Sequence, residues 1–349
     1  MAYQLTPKLR NLTPYQPITG EFKIRLDANE SYMNLPDYLK EKVSQAVSQL
    51  EFNRYPDPYC TRLCKIYAEY YKINSELVTA GNGSDELIAL LMNSFFEKGD
   101  KILTLAPDFS MYGFYISLAE LEQMVFDKGS DLHPKIDEVI YYINTNNIAG
   151  IIFSNPCNPT SMGVTTEDII KLIKNVNCLV ILDEAYMDFW DSSILGRVSE
   201  FDNLIILRTC SKAFGLAAIR LGFAVANKTL TNAIRAAKSP YNVNSMTQTV
   251  AEVVLSDQSY LQECIKQLKQ ARESLYESFV KLQSRKSAIT KVYKPQTNFV
   301  FIKTTDNKAV FDGLSQRGIA IRFMGEFLRI TAGSQDENNA VLQALEEIL

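Results

Sequence analysis

Lys212, Arg220 and Asp183 are of the residue types that amine chemistry on a bound anion needs, and each sits where a sheet would present it. Lys212 lies in Arg208 to Phe223, RTCSKAFGLAAIRLGF, just after the apolar run Leu204-Ile-Ile-Leu207, which is short and β-branched as a buried strand is. A lysine past a strand's carboxyl end stands where open α/β sheets bind ligands. Flanked by Thr209, Ser211 and Arg220, it would face an anion with its amine free. Neighbouring positive charge and desolvation lower an amine's pKa and leave part of it neutral and nucleophilic, as a Schiff base requires. A solvated surface lysine is the other reading of the same residues. Asp183 follows the apolar run Leu179-Val-Ile-Leu182, so its carboxylate either meets something cationic or caps the next turn.

Other candidates fall at similar junctions. Leu77 to Ala80 leads into GNGSDE (81 to 86) and then the helical run LIALLMNSFF. Glycines ahead of a helix opening at Ser84 and Asp85 leave backbone N–H groups unpaired at the positive end of the helix dipole, a seat for phosphate. The stretch lacks the Gly-Lys-Ser ending of a P-loop and the full GxGxxG pattern, and a plain N-cap by Ser84 or Asp85 explains it equally. Arg322 and Arg329 lie on strand-like runs of Ile, Phe and Leu, either as edge charges or as a pair holding a carboxylate or phosphate.

The elements that must position these residues alternate. Lys101 to Leu105 runs into APDFSMYGFY, Gly150 to Phe153 into SNPCNPTSMG and Leu179 to Leu182 into DEAYMDF, with helical patterns at Tyr112 to Glu120, Asp137 to Asn144 and Thr165 to Asn175 between. The spacing predicts an α/β fold, a mostly parallel central sheet flanked by helices. Residues 1–35, rich in Pro, Asn and Tyr, read as an N-terminal arm. Residues 36–238 read as the large domain, and residues 239–349, with long helices followed by paired strands, as a smaller α+β C-terminal domain. Ser334 and Glu337 are spaced as a capping box for the last helix.

Composition narrows the field. The chain has 349 residues, 36 Lys plus Arg against 40 Asp plus Glu, and a net charge of −4, which gives no electrostatic footprint for nucleic acid or an anionic membrane. No uninterrupted apolar segment is long enough to span a bilayer and the first residues show no signal-peptide core, so a cytoplasmic protein is expected. The 6 cysteines form no CxxC pair and read as free thiols. His133, the sole histidine, sits in the loop DLHPKID, and no GxSxG elbow supports a hydrolase triad.

A strand-end lysine, an aspartate on another strand end, an Asn-Pro loop, a tyrosine-bearing strand end and a glycine-led helix are together what pyridoxal 5'-phosphate needs. Its aldehyde takes the lysine, its ring nitrogen needs a carboxylate, and its phosphate needs backbone donors. The motifs LDANE (26 to 30), RYPD (54 to 57), GNGSDE, NPCNPT (155 to 160), DEAY (183 to 186), SKAFGLAAIRLGF (211 to 223) and LRITAG (328 to 333) closely resemble, in order, those of fold-type I PLP-dependent transferases. Within these, the resemblance is to the histidinol-phosphate aminotransferases, and it covers essentially the whole chain.

The resemblance implies that Lys212 binds the cofactor and then shuttles a proton, that Asp183 pairs with the ring nitrogen, and that Asn158 and Tyr186 bond its hydroxyl. It implies that Tyr112 stacks on the ring and that Ser84, Asp85, Thr209, Ser211 and Arg220 hold the phosphate. Tyr55 would reach in from a second subunit, making a homodimer with shared sites. Arg329 would anchor glutamate's carboxylate and the substrate phosphate, with Arg322, Tyr15 and Asn29 assisting. Ser161 and Ala218 stand where the family often has glycine, and Ser31 follows Asn29-Glu30 where it commonly has Asn-Pro. Ser161 and Ala218 are small and remove no reacting group, so activity is expected. Cys157 and Cys210 lie in or beside the site loops, and modification of these thiols is expected to slow turnover. Threonine-phosphate decarboxylation and aromatic transamination are the nearest rival chemistries. A non-catalytic PLP-binding regulator would need an N-terminal helix-turn-helix, which is missing here, and a dehydrogenase the third glycine that GNGSDE lacks.

Overall fold

The computed structural model describes residues 3–10, 12 and 18–349. In chain order its strands are β1 (Ile24–Arg25), β2 (Val78–Gly81), β3 (Lys101–Ala106), β4 (Glu122–Asp127), β5 (Ile148–Ser154), β6 (Leu179–Asp183), β7 (Leu204–Thr209) and β8 (Gly222–Ala226). The C-terminal part adds β9 (Ile289–Tyr293), β10 (Phe299–Thr304), β11 (Ile319–Ala320), β12 (Arg322–Phe323) and β13 (Leu328–Thr331). Strands β2 to β8 form a 7-stranded sheet in the order β2-β8-β7-β6-β5-β3-β4, in which only β8 runs against its neighbours. The expected mostly parallel sheet is therefore present, and β3, β5, β6 and β7 end at one edge.

Alternation along these strands supplies two cores. Ile151, Phe153, Val180, Leu182, Leu204 and Ile206 face one apolar cluster, while Ile152, Ile181, Ile205 and Leu207 face the other, so each strand buries both faces under helices. Each such side chain, fully buried, contributes about 1.5–3 kcal/mol of transfer free energy. Strand β4 is different. Four of its 6 residues are exposed and none is buried, as suits an edge strand, and periodicity alone passes over it.

The C-terminal sheet, in the order β12-β13-β10-β9, is antiparallel. Its core takes in Leu26, and β1 pairs in parallel with β11, so the end of the arm is a working part of this layer. Helix Ser245–Leu255 and the first half of helix Gln258–Arg285 pack into the large core through Val250, Leu261 and Leu268. Leu275, Phe279 and Leu282 of the same long helix pack into the C-terminal core. Packing thus changes hands inside that helix, between Leu268 and Leu275. The last helix opens with the expected capping box of Ser334 and Glu337.

Candidate active site

The carboxyl ends of β5, β6 and β7 open onto a cavity of about 510 Å³ closed on its far side by β12 and β13. Its lining includes Ser84, Asp85, Asn158, Asp183, Tyr186, Thr209, Ser211, Lys212, Arg220, Asn29, Arg322 and Arg329, residues expected at the site from distant parts of the chain. A larger surface depression of about 890 Å³ beside helices Asp37–Ser48 and Ser245–Leu255 holds none of them.

Lys212 is half-buried and its Nζ donates to the Ala28 carbonyl at 2.9 Å. Burial lowers its amine to about 8, helped by the positive charges of Arg329 and Arg220 and opposed by Glu30 and Asp85. Asp183, the last residue of β6, is 5% exposed. Its Oδ2 accepts from the Tyr112 hydroxyl at 2.7 Å and its Oδ1 from the Ala185 N–H at 3.0 Å. Burial pushes this carboxyl up to about 7. Among the described residues no cation lies within bonding distance of it, so a buried acceptor faces the cavity without a positive partner.

At the other end of the cavity, helix Gly83–Ser94 presents its N-terminus. Gly222 lets it come close, because a Cβ there would lie 2.6 Å from the Ser84 nitrogen. A Cβ on Gly83, at φ +82°, would lie 2.8 Å from the Arg220 guanidinium. Arg220 donates to Ser211 Oγ at 3.3 Å and to Asp85 Oδ2 at 3.3 Å, and the Ser211 N–H donates to Thr209 Oγ1 at 3.1 Å. The result is a ring of donors about a helix N-terminus, a seat for a dianionic phosphate.

On the side facing the C-terminal sheet, Asn29 Nδ2 donates to the Tyr186 hydroxyl at 2.8 Å, and burial pushes that phenol up to about 12. Arg329 donates to Asn158 Oδ1 and to the Asp27 carbonyl, both at 2.6 Å, while its guanidinium lies over the Phe299 ring. Arg322 is half-buried on the same wall.

Two expected residues, Tyr55 and Tyr112, stand outside the cavity lining. Tyr15 lies outside the described residues. Tyr55 is 81% exposed, stacked on Tyr241 with ring centroids 4.6 Å apart, and does not line this chain's own cavity. Tyr112 does not cover the cavity either. It is 1% exposed, the second residue of helix Met111–Leu118, with its ring in the core and its hydroxyl on Asp183. Phe109 is the aromatic of that segment on the cavity wall, and it takes the place expected for Tyr112. The sequence does carry a signal for it: Phe109 is the first aromatic past the end of β3, ahead of the helix, whereas the inner face of the helix claims Tyr112.

Ser161 holds φ +65°, the left-handed conformation that favours glycine, and its buried hydroxyl meets Thr297 Oγ1 at 2.6 Å. The loop keeps its course despite the serine. Cys157 and Cys210 are buried, and burial raises the Cys210 thiol well above its ordinary range. His133 lies outside the cavity lining, its ring nitrogens near the carbonyls of Pro134 and Gly163.

A strand-end lysine and a buried strand-end aspartate sharing one cavity above a mainly parallel sheet mark a transferase of fold type I. The chain belongs to the family described as aminotransferase class I and II, whose profile matches residues 21–345. It is 41% identical over 343 residues to a histidinol-phosphate aminotransferase of Clostridium novyi (strain NT), covering 97% of this chain and 95% of that protein. The crystal structure of histidinol-phosphate aminotransferase from Clostridium acetobutylicum aligns with a TM-score of 0.84 at 25% identity, over 93% of this chain and 98% of the other. That of the Sinorhizobium meliloti enzyme, in complex with pyridoxal-5'-phosphate, aligns with a TM-score of 0.88 at 21% identity, over 99% and 97% of the two chains, a likeness of fold.

The residues fit the cofactor this family implies. A protonated ring nitrogen would give Asp183 the positive partner it lacks among the described residues, and the cradle of Gly83, Ser84, Ser211 and Arg220 suits a phosphate.

Proposed function

We propose that this chain is a homodimeric aminotransferase that moves an amino group between L-histidinol phosphate and 2-oxoglutarate, giving imidazole-acetol phosphate and glutamate, in the histidine biosynthesis of the cytoplasm. The observation that carries the chemistry is that Lys212 and Asp183, from the ends of different strands, line one cavity. The reading of the substrate is supported by relatives of that name matching nearly the whole chain.

Pyridoxal phosphate, when bound, supplies an aldehyde for amines and an electron-poor ring that makes the substrate's α-proton removable. Ser84, Asp85, Thr209, Ser211 and Arg220 would hold its phosphate, Asp183 its ring nitrogen, and Asn158 and Tyr186 its hydroxyl. Phe109 would lie against its ring. With a pKa near 8, the Lys212 amine is partly neutral at neutral pH, so its Nζ both attacks a carbonyl and takes and returns a proton at the substrate α-carbon. Tyr112 orients Asp183 and, by donating to Oδ2, favours its ionised form against burial.

Arg329 and Arg322 would hold the substrate's anionic end on the C-terminal side of the cavity, assisted by Asn29 and, as the resemblance implies, by Tyr15. Tyr55 is stacked on Tyr241 and both rings are exposed, a surface suited to a second copy of the chain, whose cavity Tyr55 would complete. Glutamate formation from 2-oxoglutarate and histidinol phosphate tests the reading. Glutamate formed from phenylalanine but not from histidinol phosphate would turn it to an aromatic aminotransferase.

A further inference from the structure

At the cavity wall, where Asp108 joins the lining and Lys128 stands outside it, lies a buried ion pair that none of the roles above uses. Lys128 follows β4, and its Nζ donates to the Pro107 carbonyl at 2.8 Å and to Cys157 Sγ at 3.1 Å, and pairs with Asp108 Oδ2 at 3.5 Å. The two charged side chains are 3% and 4% exposed. Asp108 follows the end of β3 and accepts from the Phe109 N–H at 2.8 Å, the Ser154 N–H at 3.2 Å, and the Ser154 hydroxyl. Ser154 Oγ in turn accepts the Asn158 N–H at 3.0 Å. The ends of three adjacent parallel strands, β4, β3 and β5, are thus joined through one ammonium and one carboxylate.

Stability does not account for the pair. Removing two charges from water costs several kcal/mol per ion, and well-packed apolar residues of similar volume are often equally or more stabilising. Direction does account for it. An ionised Asp108 can only accept, so the Ser154 hydroxyl spends its one proton there and keeps its lone pairs for the Asn158 N–H. Asn158 is then held at both ends, by Ser154 on its backbone and by Arg329 on its side chain.

We propose that the Lys128–Asp108 pair positions the active site: it keeps Asp108 an ionised acceptor and so fixes the loops that carry Phe109 and Asn158 on the cavity wall. Neither residue is catalytic. The proposal rests on the cofactor part of the function proposed above, and its main readout needs no amino substrate.

The test compares Lys128→Met, Asp108→Asn and the double variant as holoenzymes. The readouts are the rate of pyridoxal phosphate loss to an excess of a competing apoenzyme, kcat and KM with glutamate, and Tm. Each single variant is expected to lose the cofactor on the order of tenfold faster and to lower kcat, with KM held within about threefold because the anion-binding arginines are untouched. The double variant leaves no bare charge, so its Tm returns to the parent's or above while cofactor loss stays fast and kcat low. The proposal is overturned if cofactor retention and kcat recover together with Tm in the double variant, since the pair would then only balance charge. It is equally overturned if Lys128→Met behaves as the parent. Should Lys128→Met fail to fold, the double variant carries the same test. A parent protein that binds no pyridoxal phosphate at all would instead defeat the function reading.

Discussion

The Tyr112 hydroxyl donates to Asp183 Oδ2 across 2.7 Å beneath the cavity floor, so the carboxylate at the end of β6 is turned toward the cavity by a side chain that never enters it. Even so, burial pushes the Asp183 carboxyl up to about 7, against about 3.9 in an unfolded chain. A raised carboxyl pKa means the folded form holds its proton more tightly, so the cost of ionising it is absent below pH 4, grows as pH rises, and is complete above about 7. Cofactor-free protein should therefore lose stability relative to Asp183→Asn over that window, by at most about 4 kcal/mol at roughly 1.4 per pKa unit. Adding pyridoxal phosphate should reverse the order at pH 8. Thermal melts of both proteins from pH 4 to 8 check this, and a gap that does not vary with pH would contradict it.

Lys212→Arg keeps the charge but not the titratable amine, and should lower turnover by a factor of about 10² to 10⁴. Because burial and then Arg329 depress the Lys212 amine to about 8, cofactor capture should quicken with pH and level off above that value. Arg329→Met should move the midpoint upward, and by more than Arg220→Met does. Stopped-flow capture rates against pH measure both shifts.

Tyr55 lies outside its own chain's cavity, so its contribution should be testable by mixing. Dimers of Lys212→Ala alone and of Tyr55→Ala alone should both be impaired. Mixed dimers should regain activity, because one of their two sites carries neither change. No gain on refolding the two together would remove Tyr55 from the partner's site.

The Ser161 hydroxyl accepts from the Thr297 N–H at 3.2 Å, while its backbone sits at φ +65°. Ser161→Ala should cost about 1–3 kcal/mol by stranding buried polar groups. Ser161→Gly strands the same groups but relieves the left-handed backbone, and should cost about 1 kcal/mol less than alanine. Denaturant titrations rank the two, and alanine milder than glycine would contradict the assignment.

The strand ends, the sheet and most of the cavity lining were legible because local physics writes them: apolar runs stop abruptly at Asp183, Ser154 and Arg208, at or just before the residues that line the cavity. Strand β4 was hidden because, at the sheet edge, it buries none of its residues and shows no clean alternation. The pairing of Ile24 with Ile319 has no local signal at all, since it joins 2-residue strands far apart in the chain. Tyr112 and Phe109 changed places because the motif places an aromatic near the ring, while only the start and rotation of helix Met111–Leu118 decide which one the core takes. Lys128 left no trace in the sequence, as a lysine after an unrecognised strand reads as surface.

The central claim is tested most directly by adding histidinol phosphate alone to the holoenzyme and recording the cofactor's visible spectrum. Stoichiometric conversion of the pyridoxal form to the pyridoxamine form, reversed by 2-oxoglutarate, is the predicted result. A spectrum that histidinol phosphate leaves unchanged, in a protein that holds pyridoxal phosphate on Lys212, would contradict it.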